Sequence, residues 1–65
     1  MKANRDKLML AMARACMNTN QVAERANMPL QTVNRVLLGR SVRPATVGKI
    51  ARALNCDPSD IIEEA

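Results

Sequence analysis

The 65-residue chain has no histidine, no phenylalanine, tyrosine or tryptophan, and only two cysteines. Cys16 and Cys56 stand far apart, with no Cys-x-x-Cys pair and no histidine to complete a zinc site, so both are expected to be reduced thiols. No nucleophile and base can be assigned, which argues against an enzyme. Long apolar runs are missing too, and "MKANRDK" lacks the apolar core of a secretion signal. A cytoplasmic protein without a membrane span, metal or cofactor is expected. Acidic residues are scarce except at the end. Residues 1–56 carry all ten Lys/Arg against Asp6 and Glu24, a net +8, whereas the tail from Asp57 carries four acids and no base. A basic body favours a polyanionic partner.

What is present is apolar spacing. Nearly half the residues are hydrophobic, so Leu, Ile, Val, Met and Ala must build the core. A domain this small buries only about 60% of its unfolded surface, which implies modest stability. Apolar residues recur at intervals of three and four, and no convincing strand alternation appears. The chain therefore reads as one all-α domain over residues 1–65, with no repeat or linker.

Leu8, Met12 and Ala15 stripe a first helix from about Ala3 or Asn4 to Cys16. Asn18, with Gln21 three residues on, has the pattern of a capping box for a second helix from about Thr19 to Ala26. Asn27 tolerates the left-handed conformation that stops a helix, and Pro29 suits the opening of the next. Val33, Val36 and Leu37 line the third helix, which Gly39 ends near Leu38. After the basic loop "RSVR", Pro44 opens a fourth helix striped by Val47, Ile50, Ala51 and Leu54 and closed by Asn55. "DPSD" then predicts a short fifth helix. Met12, Met17 and Met28 read as core filling, and Met9 with Leu10 as exposed. Lys2, Arg5 and Lys7 form either an arm or a frayed end.

The break at Met28-Pro29 joins two short helices, with small Ala23 and Ala26 allowing a close crossing. Val22, Ala23, Ala26, Asn27, Met28, Val33 and Val36 occupy the apolar, small and turn positions of the helix-turn-helix, and the chain resembles lambda-repressor and Cro-like proteins of the XRE family. "RPATVGKIARALNCDPSDII" resembles that family's fourth and fifth helices, so the likeness runs from about Leu8 to Ile62. "QTVNRV" also resembles the recognition helix of lactose-repressor-type headpieces. The resemblance implies a compact five-helix domain whose motif, at about 19–38, is formed by helices 2 and 3. Three positions depart from the pattern. Asn27 replaces the usual Gly, and Pro29 stands where Ser or Thr often caps the recognition helix. Met12 and Leu37 replace an Arg and Glu pair, so a packed apolar contact is expected there.

In this motif the recognition helix enters the major groove of double-stranded DNA. The resemblance places Leu30, Gln31, Asn34 and Arg35 at base edges: Gln31 suits adenine, Arg35 the O6 and N7 of guanine, and Leu30 a thymine methyl. Phosphate contacts fall to Thr19, Gln21, Thr32, Arg40, Ser41 and Arg43. One such domain reads a short site, so a homodimer on a near-palindrome is expected, with Ile61 or Ile62 as its contact and the other closing the core. The function implied is a sequence-specific transcriptional regulator acting as a repressor. The alternative is a protein-interaction module such as an antitoxin or regulatory subunit.

Overall fold

A computed structural model describes residues 1–63; Glu64 and Ala65, the end of the acidic tail, lie outside the described residues. Four α-helices follow one another: α1 Arg5–Ala15, α2 Thr19–Arg25, α3 Leu30–Leu37 and α4 Pro44–Ala53, then a single 3-10 turn at Pro58–Asp60. Their starts are written locally. Asn4 Oδ1 accepts the Lys7 amide at 3.0 Å and so caps α1. Before α2, Asn18 Oδ1 accepts from the Gln21 amide at 2.8 Å while Gln21 Oε1 accepts from the Asn18 amide at 2.9 Å, completing the expected capping box. Such a cap contributes about 1 kcal/mol. Helices α3 and α4 begin without a side-chain cap, Pro29 preceding α3 and Pro44 opening α4.

All four helices end the same way. A residue with positive φ follows each: Cys16 (55°), Asn27 (56°), Gly39 (77°) and Asn55 (55°). Its amide bonds back three residues and the next amide bonds back five, as in Asn27 to Glu24 at 3.1 Å and Met28 to Ala23 at 2.9 Å. This double closure satisfies carbonyls that the helix would otherwise leave open. Residues that follow the left-handed position at three ends, Met17, Met28 and Cys56, pack against the core. At the fourth end that place is taken by Arg40, which is exposed.

The core between the helices is aliphatic. Leu8, Val22, Val33, Val36, Val47, Ile50 and Ile61 are fully buried, each contributing about 1.5–3 kcal/mol relative to exposure. Met12 belongs to this core and Leu37 packs against it, which puts both members of the apolar replacement pair in one cluster. Met17 and Met28 also line it, while Met9 and Leu10 are half exposed. Both thiols are free. Burial, then the nearby Asp60 and Asp57 carboxylates, push the Cys56 thiol up against the opposing pull of Arg14.

Two expectations are corrected. The fifth helix is only a 3-10 turn: Asp57 accepts from the Ser59 amide at 2.9 Å and Asp60 from the Asp57 amide at 3.1 Å, which caps its start, and the Ile61 amide closes its end on the Pro58 carbonyl at 3.1 Å. The chain is then drawn out, because Ile61 enters the core and Ile62 forms an antiparallel bridge with Ala3, leaving no room for helical continuation. The N-terminus, in turn, is neither arm nor frayed end. Asn4 donates to the Ile61 carbonyl at 2.8 Å, Glu63 donates to the Lys2 carbonyl at 2.9 Å, and Ala3 is buried.

Two stability predictions follow from local chemistry. Gly48 lies inside α4, and a Cβ there would meet nothing within 4 Å. Gly48→Ala should therefore stabilise the domain by about 0.5–1 kcal/mol, read as a higher urea midpoint at unchanged slope. Asp57 is held below the usual aspartate range by hydrogen bonds from the Ser59 amide and hydroxyl. Its folded-state value is depressed, so its contribution is present above the unfolded pKa and is lost as pH falls through the lowered value. Asp57→Asn should melt below wild type at neutral pH, with the gap closing under acid, below about pH 4. A gap independent of pH would mean that the charge plays no part.

Candidate nucleic-acid interface

Helices α2 and α3 cross through small and branched side chains: Val22, Ala23 and Ala26 on one side and Val33 and Val36 on the other are buried. Ala23 and Ala26 let the backbones approach, and the turn at Asn27 redirects the chain sharply. Pro29 is extended, at φ −62° and ψ 145°, and its carbonyl accepts the Thr32 amide at 3.0 Å, so α3 starts at once beyond it. Burial of Val33 and Val36 fixes the rotation of α3. Its opposite face is thereby forced into solvent.

That outer face carries Leu30, Gln31, Asn34 and Arg35, all exposed. Leu30 is 40% exposed, an apolar side chain held at the solvent-facing start of a helix. Leu38, at 67% the most exposed of the large apolar residues, extends the same face beyond the residues that the resemblance assigns to DNA. The signal was available: Leu38 lies four residues after Asn34 and three after Arg35, off the Val33 and Val36 stripe.

Candidate phosphate-contacting residues lie on either side of this face in the chain. Thr19 is half-buried and Gln21 exposed at the start of α2, with the Gln21 carbonyl engaged in the capping box and its amide nitrogen still a donor group. Thr32 is half-buried on α3. Arg40, Ser41 and Arg43 are exposed in the loop between α3 and α4. Arg40 is anchored through its backbone, its amide reaching the Arg35 carbonyl at 3.1 Å, while its side chain is left free of the core. The structure separates the two isoleucines: Ile61 is fully buried, so it closes the core and cannot face a second copy, and Ile62 is half-buried.

The profile of the Cro/C1-type HTH DNA-binding domain matches residues 7–63. The chain belongs to that family. The match runs from the first turn of α1 through the 3-10 turn, close to the stretch the sequence resemblance covered. No curated protein matches the chain. Among solved structures, the Cro/C1-type chain is similar to PhpD with cadmium complexed with hydroethylphosphonate, at 29% identity and TM-score 0.84 over 100% of this chain. Native PhpD with cadmium atoms gives the same identity and TM-score, and a point mutant of hydroxyethylphosphonate dioxygenase gives 29% and 0.85. The chain spans 14% of the length of each of these proteins. Among the described residues, no helix is long and apolar enough to cross a membrane, and no group of His, Cys, Asp and Glu could hold a metal ion.

Proposed function

We propose that this Cro/C1-type domain is a sequence-specific regulator of transcription that inserts α3 into the major groove, acts as a homodimer in the cytoplasm, and represses by occupying a promoter. One observation carries the reading: Val33 and Val36 are buried, so Leu30, Gln31, Asn34 and Arg35 share the exposed face of a helix followed by the exposed Arg40, Ser41 and Arg43. In this reading Leu30, Gln31, Asn34 and Arg35 meet base edges, while Thr19, Gln21, Thr32, Arg40, Ser41 and Arg43 hold phosphates. Ile62 is the remaining candidate for the dimer contact.

The test is a fluorescence-anisotropy titration with a duplex from the region flanking the gene and a scrambled duplex, each at two salt concentrations. Tighter binding to the flanking duplex, with a logarithmic salt slope of about −0.9 per phosphate contacted, supports the reading. No binding of either duplex at low salt removes it. A second reading, a protein-interaction module such as an antitoxin or regulatory subunit, draws on the solved structures, in which a matching fold is a small part of a much longer enzyme chain. Exposed Met9 and Leu10 on α1 offer such a module an apolar contact. Salt-insensitive capture of a protein that needs Met9 or Ile62, and neither Gln31 nor Arg35, would select it.

A further inference from the structure

The loop that follows α3 is anchored at its ends by its own neighbourhood. Arg40 donates to the Arg35 carbonyl at 3.1 Å, and the Arg43 carbonyl accepts from Thr46 at 3.0 Å. Its middle is held from the far end of the chain: the Val42 amide donates to the Met1 carbonyl at 2.8 Å, and the Met1 ammonium donates to the Val42 carbonyl at 3.0 Å and to Ser41 Oγ at 3.3 Å. The other edge of the Met1–Asn4 segment is itself laced to residues 61–63, through Asn4 to Ile61 at 2.8 Å and Glu63 to Lys2 at 2.9 Å. Three segments distant in sequence are thus joined side by side, with Ala3 buried at the junction.

We infer that residues Met1–Ala3 are a positioning strand for the DNA-contacting loop, holding Arg40, Ser41 and Arg43 ready for phosphate, and that residues 61–63 hold the strand in place. This rests on the phosphate-contacting role proposed above for that loop. Its physical basis is preorganisation. Within residues 40–43 only Val42 is packed inward, the other three being exposed, so the bonds of Ser41 and Val42 to Met1 are what restrain the middle of the loop. A loop ordered before encounter loses less conformational freedom when its arginines meet the backbone of DNA. The C-terminal segment thereby influences affinity without touching nucleic acid.

Two pairs of full-length variants test this. Val42→Pro removes the amide donor and leaves only the bonds from the Met1 ammonium, whereas Val42→Ala keeps all three and loses only side-chain packing. Glu63→Pro removes the donor to Lys2, whereas Glu63→Gln changes charge alone. Residues before both prolines lie in extended or irregular chain, which tolerates a following proline. With folding checked by circular dichroism, Val42→Pro is expected to bind the flanking duplex about tenfold more weakly than Val42→Ala, with a salt slope shallower by about one. Glu63→Pro should bind more weakly than Glu63→Gln although each loses the same negative charge. Without DNA, its Val42 amide should exchange roughly tenfold faster than in Glu63→Gln.

Equal affinity and slope within each pair would overturn the positioning role while leaving the DNA reading intact. Should Val42→Pro fail to fold, the Glu63 pair decides alone. If wild type binds no duplex but Val42 exchange still depends on residue 63, the DNA reading fails and the backbone coupling stands. The positioning role for DNA is overturned with that reading.

Discussion

Arg35→Ala is expected to lower affinity for the preferred duplex by about five- to 150-fold, equivalent to 1–3 kcal/mol, while changing stability by less than about 0.5 kcal/mol. The second half of that statement comes from the fold. Arg35 is exposed on α3, between buried Val33 and Val36 in sequence but on the opposite face, so truncating it opens no cavity. The first half comes from guanidinium geometry: two parallel N–H groups match the O6 and N7 of guanine, and a lysine cannot reproduce the fork. Arg35→Lys should therefore keep most of the affinity for the scrambled duplex and lose discrimination. Gln31→Ala, one turn earlier on the same face, should also narrow the gap between the two duplexes, since its amide can bridge adenine N6 and N7. The measurement is the same anisotropy titration at fixed salt. If Arg35→Ala weakens both duplexes equally and shallows the salt slope by about one, Arg35 is a phosphate contact and bases are read elsewhere on α3.

Much of this architecture is local, and local features are legible in sequence. The Asn18 and Gln21 capping box, the left-handed Asn27 and Asn55, the glycine after α3 and the valine stripe of α3 each depend on residues within about one helical turn. The face of α3 follows from its stripe, and Leu30, Gln31, Asn34 and Arg35 lie on its exposed side as that stripe requires. The helix end at Cys16 was placed correctly, yet its left-handed conformation had no signal. Cysteine shows no special tolerance of positive φ, and the closure there is imposed by the bonds to Ala13 and Met12.

The failures are non-local. "DPSD" has the chemistry of a helix start, and a cap and an N-terminal proline do form there. What stops the helix after one turn is competition: Ile61 gains a core site and its carbonyl gains the Asn4 amide, a pairing across almost the whole chain. Periodicity carries no trace of such a partner. The same pairing explains why Lys2 could not be told from an arm residue, since the buried Ala3 beside it is a single small side chain without a pattern around it. Leu38 was missed for another reason. It sits at the helix terminus, where the apolar stripe stops and an outward-facing leucine carries no periodic contrast.

The terminal segment should matter to stability far more than its place in the chain implies. Ile61→Ala is expected to cost about 2–5 kcal/mol, because Ile61 is fully buried among the largest core side chains and its removal leaves a cavity as well as losing transfer energy. For a 65-residue domain the total is of the order of 3–10 kcal/mol, so this one change should unfold much of the population at room temperature or bring the midpoint near it. Ile61→Val should cost only about 0.5–1.5 kcal/mol. Ile62→Ala, at a half-buried position, should cost less than Ile61→Ala. Urea titrations followed by circular dichroism separate these cases, with the slope expected to stay constant if the transition remains two-state. A larger loss at Ile62 than at Ile61 would mean that the bridge to Ala3 is shifted by one residue, since such a slip exchanges the inward and outward side chains. The contrast also bears on self-association. If Ile62→Ala barely changes monomer stability but raises the protein concentration needed to bind a two-half-site duplex, Ile62 contacts a second copy. If the concentration dependence is unchanged, a dimer must form through another surface, with the exposed Met9 and Leu10 of α1 the next to substitute.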